Sequence, residues 1–205
     1  MILRRALAVA LAAAVLPAVA AAPAEAARWT HRDAVGDVQT QRYADGDLTT
    51  SADPRNAATD LSRVTVKHTR AAVVVTMRVR DLSAPVRRAG EIALETDGER
   101  RFTVSFGLAR RGERVRARAF DVEERLSDRQ GCRAAGSVDR AAGRLRVRVP
   151  RTCLDRPDWV RAGIGLASTI EDRDAPEEFT YSMDDAIGTN ALTRPGRLSP
   201  RIARG

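Results

Sequence analysis

Aspartates gather near the start of the chain. Trp29-Thr30-His31-Arg32-Asp33-Ala34-Val35-Gly36-Asp37-Val38 is followed by Asp45-Gly46-Asp47 and then by Asp60-Leu61. Hard cations such as Ca²⁺ take roughly six to eight oxygen ligands, mixing carboxylates with carbonyls, and a glycine permits the tight turn between them. Asp33 and Asp37, on either side of a glycine turn, can share one ion if the fold returns Asp60 to them. The pattern is not an EF-hand, whose ligand spacing and closing glutamate are absent. Without a metal, the same aspartates serve as turn caps through local side-chain to backbone hydrogen bonds.

A second acidic stretch runs Glu171-Asp172-Arg173-Asp174-Ala175-Pro176-Glu177-Glu178, with Asp184-Asp185 beyond it. It can complete a Ca²⁺ site or supply a carboxylate pair for glycoside hydrolysis, and acid-rich loops are also common as solvated surface. Arginines are arranged differently. Arg78 and Arg80, then Arg114, Arg116 and Arg118, then Arg144, Arg146 and Arg148 each occupy the polar positions of an alternating segment. If those segments are neighbours, Arg114, Arg116, Arg118, Arg144, Arg146 and Arg148 form an anion-binding face. The alternative is a solvated sheet face whose long stems cover apolar surface.

Several activities lack their residues. His31 and His68 are the only histidines, too few for a histidine metal cluster, and His68 shares the apolar parity of Val64 and Val66. No Gly-x-Ser-x-Gly elbow, phosphate-binding glycine loop or dinucleotide fingerprint occurs, so no catalytic residue is assigned. Cys132 and Cys153 are the only cysteines. In an exported chain an even count reads as a disulfide. The bridge would close a loop of about 20 residues, contribute about 3 kcal/mol, and pin the shoulders of a hairpin between them.

The elements that must position these groups follow a period of two. Val64, Val66 and His68 alternate with Arg63, Thr65 and Lys67; Val73, Val75, Met77 and Val79 follow after a turn. Ile92, Leu94 and Thr96 lead into Asp97-Gly98, a strong hairpin signal, and Phe102, Val104 and Phe106 continue it. Leu145, Val147 and Val149 stop at Pro150, and Trp159 to Thr169 is a further strand. A short helix over Ala117 to Ser127 competes with the alternation there. The pattern predicts an all-β, antiparallel β-sandwich, jelly-roll or immunoglobulin-like, with one disulfide. Residues 39–59 and 171–191 read as long loops that shape the site.

The chain has 205 residues, a formal net charge of +8, 43% hydrophobic residues and only 4% aromatics, which argues against disorder and against a membrane bundle. Arg4 and Arg5, the apolar run Leu7 to Val15, and Ala24-Glu25-Ala26 form the pattern of a cleaved export signal over residues 1–26. Residues 27–205 then make a single β-sandwich domain, secreted, with no transmembrane segment and monomeric.

The order Asp33-x-x-Gly36-Asp37, a polar loop, Asp60-Leu61, an alternating strand and a second strand ending Arg80-Asp81-Leu82 resembles DOMON-like and family 9 carbohydrate-binding β-sandwich modules. That resemblance covers the N-terminal third and implies Ca²⁺ at Asp33, Asp37 and Asp60 and saccharide binding. Over nearly the full length, Pro150-Arg151-Thr152-Cys153-Leu154, Pro157-x-Trp159-Val160 and Asp184-Asp185-Ala186 resemble uncharacterised exported proteins of high-GC bacteria. Carbohydrate modules stack sugars on exposed aromatics, for which Trp29, Tyr43, Phe179 and Tyr181 are the candidates. The expected function is a secreted, non-catalytic binding module, Ca²⁺-stabilised, for an extracellular polysaccharide or anionic wall polymer, with no intracellular nucleic acid as partner. The alternatives are an extracellular hydrolase using carboxylates of the 171–185 loop, and a protein-binding or inhibitory module acting through an edge strand.

Overall fold

A computed structural model describes residues 27–108, 114–122, 131–171, 178–188 and 197–205; the expected export signal lies outside them. The strands are β1 (Ala27–Arg32), β2 (Gln39–Ala44), β3 (Asp47–Ala52), β4 (Leu61–His68) and β5 (Ala72–Val79). They continue as β6 (Arg87–Thr96), β7 (Arg101–Leu108), β8 (Arg114–Asp121), β9 (Cys132–Asp139) and β10 (Arg144–Pro150). Last come β11 (Trp159–Glu171), β12 (Phe179–Asp185) and β13 (Ile202–Ala203). Among the described residues there is no α-helix, only a 3₁₀ turn at Arg151–Leu154.

All pairings are antiparallel, in one sheet of order β1-β4-β5-β10-β9-β8-β7-β6-β11-β12-β2-β3, with β13 alongside β11. The alternation explains the layering. Val64, Val66, Val75, Met77, Leu145 and Val147 are fully or almost fully buried, while Arg63, Lys67, Arg78 and Arg146 between them are exposed. Ile92, Leu94, Val104, Ile164 and Leu166 on the other arm belong to the same apolar cluster. The sheet therefore curls around one core. The curl brings β13 against β1 and β4, and the Gly205 N–H donates to the His68 carbonyl at 3.1 Å.

His68 is buried as its parity implied, with Nδ1 3.1 Å from the Ile202 carbonyl oxygen. Burial, reinforced by Arg151 and Arg204, pushes its pKa down and keeps the ring neutral. Cys132, at the start of β9, is bonded to Cys153 in the turn after β10, so the bridge spans the shoulders of the β9–β10 hairpin.

Three sequence expectations change. Residues 39–59 are not simply a loop: β2 and β3 form a hairpin through Asp45-Gly46, both with positive φ. The Asp-Gly signal was present, but β3 is exposed on both faces and so shows no apolar alternation. The expected 171–191 loop holds the whole of β12, and Ala117–Asp121 is strand rather than helix because it pairs with β7 and β9; residues 123–127, 172–177 and 189–191 of these two expectations lie outside the described residues. Beyond these three, Trp29 to Arg32, which open the acidic segment, belong to edge strand β1 on β4.

Candidate metal centre and cationic face

The curl carries the end of β12 to the start of β4, and the turn after β1 folds over that junction. Asp37 lies in the β1–β2 connection, Asp60 immediately precedes β4, and Asp184 is the penultimate residue of β12. One carboxylate oxygen from each of the three lies within 4.8 Å of the others. Oxygens around one Ca²⁺ at about 2.3–2.6 Å lie no more than about 5 Å apart, so the trio has the dimensions of a hard-cation site.

The hydrogen bonds leave this site short of donors. Asp60 is fully buried; its Oδ2 accepts from the Gly36 N–H at 2.7 Å and from Arg80 Nη1 at 2.8 Å. Gly36 has φ +83°, and a Cβ there would sit 3.2 Å from Pro54, so glycine alone lets this N–H reach the carboxylate. The Leu61 N–H donates to Asp184 Oδ2 at 2.5 Å, tying β12 to β4. The remaining oxygens fare worse. Among the described residues, four buried side-chain polar atoms lack a hydrogen-bond partner, and three are here: Asp33 Oδ2, Asp37 Oδ1 and Asp60 Oδ1. Buried acceptors are normally satisfied, so three together call for something that donates to or coordinates oxygen.

The electrostatics agree. Burial, then Asp184 and Asp37, pushes the Asp33 carboxyl up to about 8, and burial pushes Asp184 up to about 7 despite its bond from Leu61. Asp37 is raised by burial and by Asp60 and Asp185. Arg80 supplies the one ion pair that any of these aspartates makes among the described residues.

Of the sequence-predicted set Asp33, Asp37 and Asp60, the last two join the trio, and Asp33 couples to it electrostatically from beside Asp37. The third corner is Asp184, from the acidic stretch weighed for hydrolysis. Its neighbour Asp185 uses Oδ1 to accept the Ile187 and Gly188 N–H groups at 3.1 and 3.3 Å.

The arginine stripes share one sheet face. Arg144, Arg146 and Arg148 of β10 register with Asp139, Ser137 and Ala135 of β9, which in turn face β8. Arg114 and Arg116 register with Ser137 and Ala135, and Arg118 with Arg133. Arg116, Arg118, Arg144, Arg146 and Arg148 are exposed. Arg28 and Arg32 of β1 add to the face, a contribution the sequence hides because the segment around them stands out for its aspartates and not for its alternation. Among the candidate aromatics, Trp29 packs partly buried against the core and stacks on His31. Tyr43 and Phe179 stack at 5.6 Å on β2 and β12, with Phe179 well exposed, and Tyr181 is half-buried. Among the described residues no helix is long and apolar enough to cross a membrane. No family model, curated protein or solved structure matches this chain.

Proposed function

We propose that this chain is an exported, non-catalytic binding module whose loop end is clamped by a hard divalent cation, Ca²⁺ by its oxygen-only ligands and spacing. The curl is read as a sandwich-like fold whose arms are closed at that end. The observation that carries the metal reading is the set of three buried, unpartnered carboxylate oxygens beside a trio that spans 4.8 Å. Asp37, Asp60 and Asp184 would hold the ion, joining the β1–β2 turn, the head of β4 and the end of β12. The ion would supply a fixed positive charge, and the loops it ties down flank the sheet.

Two surfaces support a polymer ligand. One is the cationic face; the other is the Tyr43–Phe179 pair, which offers a small stacking platform for a saccharide. Hydrolysis is less well supported, because Asp184 and Asp185 each accept backbone N–H groups that hold the fold.

Thermal unfolding tests the cation. The melting temperature should fall on chelation, recover with Ca²⁺ and recover less with Mg²⁺, which needs shorter bonds. Asp37→Asn with Asp184→Asn should remove the response. A melting temperature indifferent to chelator and to Ca²⁺ would sink the metal reading.

A further inference from the structure

Arg32, Arg63, Arg78 and Arg144 are successive register partners across β1, β4, β5 and β10, and all four are exposed. Neighbouring strands lie about 4.8 Å apart, so the ladder holds cations at that interval over about 14 Å. Like charges directly opposite one another weaken a sheet. Only Arg144 has relief, an exposed ion pair to Asp139 at 2.7 Å. Among the described residues Arg32, Arg63 and Arg78 form no ion pair.

Two residues along the strands, about 6.7 Å away, the next level is hydroxylic on β1, β4 and β5 and becomes cationic again at Arg146 of β10. Thr30, Thr65 and Thr76 are register partners, followed by Arg146 and Ser137. Beyond it a second cationic level carries Arg28, Lys67, Arg148 and Arg116. Between Lys67 and Arg148 sits Val74, which is buried although it shares this outer face, as expected where long cationic stems lie over an apolar neighbour.

We infer that this face docks a linear chain of phosphodiester-linked polyols, its phosphates on the two cationic levels and its hydroxyls against the threonine level between them. Guanidinium groups pair with phosphate oxygens in a two-pronged geometry, which suits arginine over lysine on such a face. Across β1, β4, β5, β10 and β9 the face has no aromatic residue, so nothing there stacks a nucleobase or a sugar ring. The occupant favoured is therefore one whose anions are regularly spaced and whose backbone carries no ring. Binding also relieves the repulsion that the register builds in. The inference rests on reading the chain as a binding module and does not depend on the cation.

The test titrates the full secreted chain with poly(glycerol phosphate), and in parallel with polygalacturonate and single-stranded DNA of equal charge. Poly(glycerol phosphate) should bind most tightly. At a salt exponent of about 0.7 per neutralised phosphate, four contacts predict about a 50-fold loss of affinity between about 50 and about 200 mM salt. The variant R63Q/R78Q/R144Q should lose at least about 10-fold in affinity while melting no lower than the parent, since it removes in-register repulsion. R28Q/K67Q/R148Q, which empties the other cationic level, should lose binding similarly. Binding unchanged in both variants would overturn the face as the site. Equal or tighter binding of polygalacturonate or DNA would overturn the polyol phosphate while leaving a binding module. No binding of any of the three polymers would overturn both.

Discussion

The aspartates of the loop end and the arginines of the outer sheet face are both groups of like charge, yet they meet water differently. Asp60 is fully buried and Asp184 nearly so, and their neighbours' free oxygens are shut away from solvent. Arg32, Arg63, Arg78 and Arg144 stand in water on a pleated surface. In the first region the repulsion cannot be screened, so carboxyls hold protons well above their ordinary range or require an ion at the centre. In the second, water and salt absorb most of it, and what remains is a diffuse field suited to a repeating polyanion. Burial thus makes one cluster a point site and exposure makes the other a surface.

If that contrast is correct, the buried region should react far more strongly to the loss of a single group. Asp60→Ala strips the acceptor from the Gly36 N–H and from Arg80, and should cost about 3 kcal/mol in chemical denaturation, in the range for breaking a buried charge pair. A cost below about 1 kcal/mol would mean that the loop end is organised by something else.

The next largest effect is the cation itself. At a concentration about 100 times its dissociation constant, Ca²⁺ should add about 2.7 kcal/mol, and the gain should depend on pH. Asp33 and Asp184, held at about 8 and about 7 in the folded chain, return to about 3.9 when it unfolds. The folded state therefore keeps protons that the unfolded state releases. Without metal, their contribution to stability is fully present below about pH 4 and is lost as pH rises through 7 to 8. Ca²⁺ bound at the trio would have to displace those protons, so its stabilisation should be small at pH 5 and large at pH 8. Melting curves across that window, with chelator and with Ca²⁺, check both slopes; a metal-free chain that gains stability between pH 5 and 8 would contradict the dry cluster.

The same contrast governs how much could be read beforehand. Alternation shows which residues point outward, and that is enough to place Arg144, Arg146 and Arg148 on one face of a strand. It does not give strand order, so the ladder from Arg32 to Arg144 emerges only once β10 lies beside β5 and β1 beside β4. The buried cluster is legible as a type of chemistry: Asp33 and Asp37 on either side of Gly36, with Asp60 beyond them, have the composition of a cation loop. Asp184, 124 positions beyond Asp60 in the sequence, was counted with a different acidic stretch, because only the curl of the sheet brings β12 to the head of β4. The β2–β3 hairpin escaped for the opposite reason. Its Asp45-Gly46 turn was visible, but strands with no buried face leave no pattern to connect to it.

The smallest effect probes the exposed region and is the most direct check on its difference from the buried one. Arg63 and Arg78 face each other across β4 and β5 without an intervening anion among the described residues. Arg63→Gln and Arg78→Gln should each leave stability unchanged or raise it by a few tenths of a kcal/mol, since cross-strand like-charge pairs cost about that much. In a double-mutant cycle the second substitution should gain less than the first, because the repulsion has already been removed. That coupling should shrink as salt rises from about 20 to about 500 mM, where the screening length falls below the distance between the charges' solvated ends. Saturating polyanion should reverse the order of stability, making the parent the most stable of the set, because only the parent keeps every contact that offsets its repulsion. A coupling of several kcal/mol, or one indifferent to salt, would place these arginines in the same dry regime as the aspartates and would erase the distinction between site and surface.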